Sequence, residues 1–324
     1  EDVPEQFSPG AAAREDGTTA RRGPSAQRAG GGPVDQRVYR VALMNDPSYA
    51  QYFGTENVLA EKATLMNRVN QVYNDDLAIT MVLVEESEKT NLDTRAKAIG
   101  ANGPCGTAPC YAPPTDGPGS GELAGCGVDL LAKNRIVLGQ LIGAEDYDIG
   151  HIVLGKNGGG IAFLGVVGAE LKGGGCTGLP FPEGDFFAID YVAHEMGHQF
   201  DGPHTFNGTQ INCAGGNRTA ETSVEPGSGS SVMAYAGICG DDDLQPHTDP
   251  YFSQETIDNV TDYAAEDLND LVEVQTVSLR GFDTDGDEVT LAFDGRTTTI
   301  TRGPEYDRAS VAAAVSELTG RTVK

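Results

Sequence analysis

Apolar positions along this chain change period several times, and each change marks an expected element. Val38-Tyr39-Arg40-Val41-Ala42-Leu43-Met44 is a β-rich run and predicts a first strand. Asn57 to Tyr73 then places Val58, Leu59, Ala63, Leu65, Met66, Val69 and Val72 on a helix face. Leu77 to Val84 (LAITMVLV) is almost continuously apolar, the pattern of a strand buried on both sides in a sheet covered by helices. Strand, helix, strand predicts a right-handed crossover between parallel strands. Asn102 to Gly127 is a Pro/Gly-rich loop with three cysteines, expected at the surface and pinned by disulfides. Val128 to Gly143 predicts a second helix and Asp148 to Leu154 (DIGHIVL) another strand. Gly158-Gly159-Gly160 leads into a further apolar run, Ile161 to Val167. Phe186 to Gln199 predicts a helix with Ile189, Val192, Ala193 and Met196 as core contacts, whereas Asn207 to Ser230 is polar and glycine-rich. Thr256 to Leu271 closes the pattern as a helix through Ile257, Val260, Tyr263, Leu268 and Leu271.

Both ends read differently. Residues 1–36 are mostly Gly, Ala, Pro, Arg and Glu with almost no large apolar side chains, and are expected to be a flexible leader or propeptide remnant. The chain starts at Glu1 without a basic stretch followed by an apolar one, so a signal peptide, if there was one, is expected to have been removed or excluded already. From about Val272 the pattern turns to alternation. Val274 to Leu279 and Val289 to Phe293 read as strands, Asp294-Gly295 is a hairpin signal, and Thr297 to Thr301 pairs back. Asp307 to Leu318 is an alanine-rich helix capped by Asp307 and ended near Gly320. The expected division is a leader (1–36), a main domain (37–271) and a small β-rich module (272–324) that ends at Lys324, where it is open to having been cut short.

Composition narrows the classes. The 324 residues leave room for a substantial core, and no apolar run is long enough to cross a bilayer. Lys and Arg number 22 against 48 Asp and Glu, a net charge of −26 that argues against nucleic acid and anionic membranes as partners. Six cysteines, none in CxxC spacing, suit a disulfide set in a secreted, extracellular protein.

The densest chemistry lies in Ala193 to Thr205, AHEMGHQFDGPHT, which holds His194, His198 and His204, three of only five histidines. Four positions separate His194 from His198, so on a helix both imidazoles stand on one face and can hold one ion. Glu195 lies beside that ion rather than on it, placed to take a proton from water. The Asp201-Gly202-Pro203 turn breaks the helix and brings His204 back as a third ligand. Three protein nitrogens and one open position are what a catalytic zinc requires. His151 is read as a structural histidine, because the ligand set is already filled. Glu221 is distant enough to be a third ligand, but its surroundings do not look helical, and His204 is the better candidate. Asp283, Asp285 and Asp287 in DTDGDE resemble a Ca2+ loop but lack the later bidentate Glu between helices, and read as an acidic, solvated turn.

HExxHxxGxxH and a downstream methionine turn are the signature of the metzincin metallopeptidases. HEMGHQF, with SVMAYAGICG around Met233, most resembles the reprolysin/adamalysin-like branch, especially its bacterial secreted members. One position departs from the pattern, since Asp201 stands where the family has a glycine in left-handed conformation. The resemblance implies an α/β (α+β) catalytic domain with a twisted mixed sheet, an edge strand that binds substrate, a zinc helix and a Met-turn. Met233 would form the floor under the three histidines, although a plain core methionine would be equally buried. Tyr235 sits two after the methionine, as in the astacin and serralysin branches, where a tyrosine reaches the metal or the developing oxyanion; reprolysins generally lack that role, and a buried structural tyrosine is the alternative. Gly160, Ile161, Ala162, Phe163 and Leu164 would lie in the substrate edge strand, an ordinary interior strand being the alternative. The segment Gln245 to Phe252 would help wall the pocket for the side chain after the scissile bond, with His247 as a solvated loop residue. Cys213 and Cys239 bracket the methionine turn and are expected to bridge; Cys105 with Cys110 would close a small loop, leaving Cys126 with Cys176.

The resemblance thus implies a secreted zinc endopeptidase acting on proteins or peptides through metal-activated water. Two other readings stay open: a catalytically silent scaffold that captures peptides, and a carboxy-terminal module that carries adhesion or targeting.

Overall fold

The structure is a computed structural model that describes residues 36–112, 123, 125–156, 159–265, 282–293 and 295–320. The expected leader, the strand Val274 to Leu279 and the end of the helix beyond Ala265 lie outside the described residues. The coordinates divide into two compact units, residues 1–276 and 277–324.

In the first unit, β1 (Arg37–Asn45) alternates its apolar side chains between two cores. Val41 and Leu43 join the core under α2 (Val58–Leu77), and Ala42 and Met44 join the opposite one, beneath α3 (Val128–Leu141). Two buried faces on one strand require helices on both sides of the sheet. The five strands run in the order β2-β1-β3-β5-β4, with β2 (Ile79–Leu83), β3 (Ile149–Leu154), β4 (Gly159–Ala162) and β5 (Gly175–Gly178). β1 pairs in parallel with β2 and β3, β3 in parallel with β5, and β4 antiparallel with β5. This is the mixed α/β fold that the residue pattern and the resemblance imply.

Several elements differ from expectation. β2 is an edge strand and is not buried on both sides: Val82 is 49% exposed, beside its register partner Arg40, which is also exposed. Helix α2 covers the other face there. The run Ile161 to Val167 is a strand only as far as Ala162. Beyond it the backbone amides of Gly165, Val166 and Val167 cap the carbonyls of His198 and Gln199 at the end of the next helix. A short helix, α1 (Pro47–Phe53), follows β1, capped by Asp46, whose side chain accepts the Tyr49 N–H. The loop Asn102 to Gly127 is not wholly at the surface. Tyr111 is buried and its hydroxyl donates to Asn134, and Cys126 bridges to Cys176 on β5. Cys105 pairs with Cys110 and Cys213 with Cys239.

The second unit holds an antiparallel hairpin, β6 (Glu288–Phe293) and β7 (Arg296–Thr301), followed by α5 (Arg308–Thr319). Asp294 of the turn lies outside the described residues, and Gly295 takes φ 75°. Asp307 and Ser310 form a reciprocal capping box, and Gly320 ends α5 in left-handed conformation. In DTDGDE the Asp287 carboxylate accepts the N–H groups of Asp283 and Thr284, so it closes the turn.

Candidate metal centre

The HExxH segment sits at the end of one continuous helix, π-helical over Phe186–Ala193 and α-helical in α4 (His194–Gln199). Single turns of π-helix are rare and recur at functional sites. Three contacts fix this helix. Arg68 on α2 pairs with Asp185 at its start, at 2.7 Å. The Tyr73 hydroxyl donates to the Ala193 carbonyl at 2.8 Å. At the far end the Gln199 amide nitrogen donates to Gly150 O on β3 and to Lys172 O. Its oxygen is then left to accept His151 Nδ1–H at 3.0 Å, while His151 Nε2 accepts the Thr177 hydroxyl at 3.0 Å. His151 is therefore a satisfied buried histidine, and burial pushes its pKa down to about 4.

The helix ends by a Schellman motif. Gly202 N–H donates to Gly197 O and Asp201 N–H to His198 O, with Asp201 in left-handed conformation at φ 66°. Asp201 thus takes the conformation for which the glycine of the signature is suited. The reversal carries the chain through Pro203 to His204.

The three imidazoles meet. His194 Nε2 lies 3.1 Å and His198 Nε2 3.0 Å from His204 Nε2. Among the described residues this is the one group of three or more His, Cys, Asp or Glu side chains whose ligand atoms lie close enough to hold a metal ion. Every Nδ1 faces a backbone carbonyl: His194 to Val232 O at 2.6 Å, His198 to Gly202 O at 2.7 Å and His204 to Asn217 O at 2.6 Å. A carbonyl only accepts, so each Nδ1 carries the proton and each Nε2 turns a lone pair inward. Burial favours the neutral rings, taking His194 down to about 3, His198 to about 4 and His204 well below its ordinary value. Three converging lone pairs with no proton between them repel one another unless a cation stands among them. The spacing is close to the roughly 3.3 Å between nitrogens of a tetrahedral zinc with Zn–N near 2.0–2.1 Å. The donor set fits zinc.

Around this centre stand the other residues singled out from the sequence. Glu195 is buried against β4. A Cβ on Gly160 would overlap Glu195 Oε1 and stand 2.7 Å from its Cδ. Ile161 and Ala162 share β4 with Gly160, and β4 is the last strand of the sheet; Phe163 and Leu164 lie past its end. Met233 is fully buried under Gly197, where a Cβ would overlap its Sδ. Tyr235 is buried too, its ring 4.5 Å from that of His204 and 5.6 Å from that of His194, and it stacks on Phe206. Glu221 is exposed and outside the histidine cluster.

Glu225 escapes the sequence reading. Its carboxylate accepts the Thr205 hydroxyl at 2.6 Å, the Ser231 hydroxyl, and the N–H groups of Ser230 at 2.9 Å and Ser231 at 3.1 Å. It therefore ties the residue after His204 to the start of the turn that carries Met233. The available signal is an acidic residue isolated in a polar, glycine-rich stretch.

Beside the histidines a recess is lined by Phe186, Asp190, Tyr191, Ala234, Tyr235, Ala236, Ile238 and Thr248. Asp190 Oδ2 accepts the Thr248 N–H at 3.1 Å. Burial pushes the Asp190 carboxyl up to about 6, against the lowering effect of that bond and of His247. His247 is largely solvated, with Nδ1 3.6 Å from Asp190 and its ring edge-on to Phe186.

A mixed α/β domain in which HExxH and the helix exit bring three imidazoles together defines the class: a metallopeptidase of metzincin type. The chain belongs to the reprolysin-like metallopeptidases of family M12B, whose family model matches residues 55–265. No curated protein matches it. Among solved structures, a chain from "Structure of a chaperone-substrate complex" is similar at 12% identity and a TM-score of 0.35. The match covers 73% of this chain and 36% of that one, so this chain spans little more than a third of its length. A likeness that slight carries no argument about fold or activity.

Proposed function

We propose that the chain is a secreted zinc endopeptidase, with His194, His198 and His204 as the metal ligands and Glu195 as the general base. The observation that carries this reading is the convergence of three Nε2 atoms whose partner Nδ1 atoms are all held by backbone carbonyls. Zinc, when bound, supplies Lewis acidity that polarises the scissile carbonyl and makes water acidic enough to act near neutral pH.

The remaining work falls to the chain's own side chains. Glu195 takes the proton of the attacking water as its oxygen bonds to the carbonyl carbon. It then gives that proton to the amine as the C–N bond breaks. Strand β4, with Gly160, Ile161 and Ala162, holds the peptide extended through main-chain hydrogen bonds, so any sequence is gripped and pockets choose side chains. Met233 packs beneath the ligands, and Tyr235, whose ring lies against those of His194 and His204, would either stabilise negative charge on the carbonyl oxygen or serve as a buried structural tyrosine. Three disulfides and the acidic composition support an extracellular setting. Among the described helices none is long and apolar enough to cross a membrane.

In this reading residues 37–271 form the catalytic domain, 1–36 a leader and 272–324 an appended module. The test is Glu195→Gln. It should keep one zinc per chain and lose peptide hydrolysis by several orders of magnitude; unchanged turnover would refute the assignment.

A further inference from the structure

The recess beside the histidines contains an acid that the hydrolytic chemistry does not use. Asp190 lies on the same helix as the ligands, one turn before His194, and its side chain is 8% exposed. Tyr191, Tyr235, Ile238 and the methyl groups of Ala234 and Ala236 make the rest of the lining largely apolar. A carboxylate in such surroundings is costly unless paired. Among the described residues its pairing is thin: one backbone N–H from Thr248, and the His247 ring at 3.6 Å, beyond hydrogen-bonding distance. His247 itself is 58% exposed and stands on the solvent side.

We propose that Asp190 makes this recess a pocket for a basic side chain, so that the chain cleaves preferentially before Lys or Arg. This rests on the peptidase reading, in which the segment containing Thr248 walls the pocket for the residue after the scissile bond. A Lys ammonium or Arg guanidinium entering between Phe186 and Tyr235 would lay its apolar stem along the walls and bring its charge to Asp190, displacing His247. An apolar side chain in the same place would seal the carboxylate from water with no cation beside it and the Thr248 N–H as its remaining bond, and so be rejected. The net charge of −26 works in the same direction by drawing basic segments to the surface.

The experiment is cleavage of an unbiased peptide library by the zinc-loaded full chain, with every cut site sequenced. Lys and Arg should exceed Leu and Phe after the cut by about tenfold or more. Asp190→Asn should reduce that preference to within a few-fold. His247→Ala, which keeps the carboxylate and removes its internal competitor, should hold or sharpen the preference, and serves if the Asn variant does not fold. Cutting before Leu or Phe by the parent chain as often as before Lys or Arg, or an unchanged profile in Asp190→Asn, would overturn the pocket assignment and leave the peptidase reading standing. No cleavage anywhere in the library would overturn both. Equilibrium binding gives a second readout without turnover: Glu195→Gln should bind an uncleaved peptide with Lys after the would-be cut site about tenfold more tightly than its Leu counterpart. Equal binding would count against the proposal.

Discussion

Gly160 on the edge strand and Glu195 on the ligand helix approach so closely that no side chain fits between them: a Cβ at Gly160 would stand 2.7 Å from Cδ and 2.8 Å from Cγ of Glu195. Glu195 is buried and cannot swing into solvent without loss. Gly160→Ala should therefore displace the carboxylate and leave the three imidazoles alone. A misplacement of about 1 Å costs on the order of 10²-fold in rate. The expected result is a fall of that size in kcat with zinc content unchanged, read by metal analysis beside peptide turnover. Full activity in the variant would mean that the strand and the base are not coupled.

Glu225 holds Thr205 to Ser230 and Ser231 through four accepted hydrogen bonds. Glu225→Ala leaves their donors unpaired in a partly buried site, at a cost of roughly 2–4 kcal/mol. Because the lost ties lie between His204 and the Met233 turn, zinc affinity should fall with stability. Glu225→Gln, which keeps one acceptor oxygen, should lose less of both. Urea unfolding of zinc-loaded protein and competition with a chelator report the two quantities; a variant with unchanged affinity would place the clamp outside the metal site's support.

Asp201 occupies left-handed backbone at φ 66°. Asp tolerates this conformation better than Ala, and Gly adopts it freely. Asp201→Ala should therefore be less stable than Asp201→Gly by about 1 kcal/mol. Thermal unfolding of the two variants side by side measures the difference, and equal midpoints would argue that the turn relaxes.

His151 makes stability depend on pH. Its pKa in the folded chain is about 4, below the ordinary value of 6.5 that it regains on unfolding. Above 6.5 the ring is neutral in both states and there is no penalty. As pH falls from 6.5 toward 4 the unfolded chain takes up the proton and the folded chain does not, so stability falls, on the order of 3 kcal/mol by pH 4. The buried ligand histidines act in the same direction in metal-free protein. His151→Asn should reduce the loss between pH 7 and pH 4.5 seen in urea unfolding, and identical losses would place the effect elsewhere.

The histidine cluster was legible because its geometry is local. The i, i+4 offset from His194 to His198 fixes one helical face whatever surrounds it, and the break at Asp201-Gly202-Pro203 announces where His204 returns. The carbonyls of Val232, Gly202 and Asn217 that orient the rings were not legible, since any residue supplies a carbonyl and only the tertiary fold brings it there. Strand β5 was missed for a related reason. Gly-Cys-Thr-Gly carries no apolar signature, yet Gly175 is needed where a Cβ would strike His151 and Gln199. The run Ile161 to Val167 looked like one strand because hydrophobicity alone does not reveal the turn at Gly165, φ 62°, or the capping of the ligand helix. Helix α1, by contrast, carried readable signals in Asp46 and Pro47, a side-chain cap followed by proline in the first turn.

Everything assigned to this site depends on a metal ion held by three histidines. The most direct measurement is a zinc titration of chelator-stripped protein, followed by cleavage of casein. Activity should be absent at the start, rise in proportion to added zinc, and level off at one ion per chain. Hydrolysis by the stripped protein, or saturation with zinc and still no cleavage, would contradict the account.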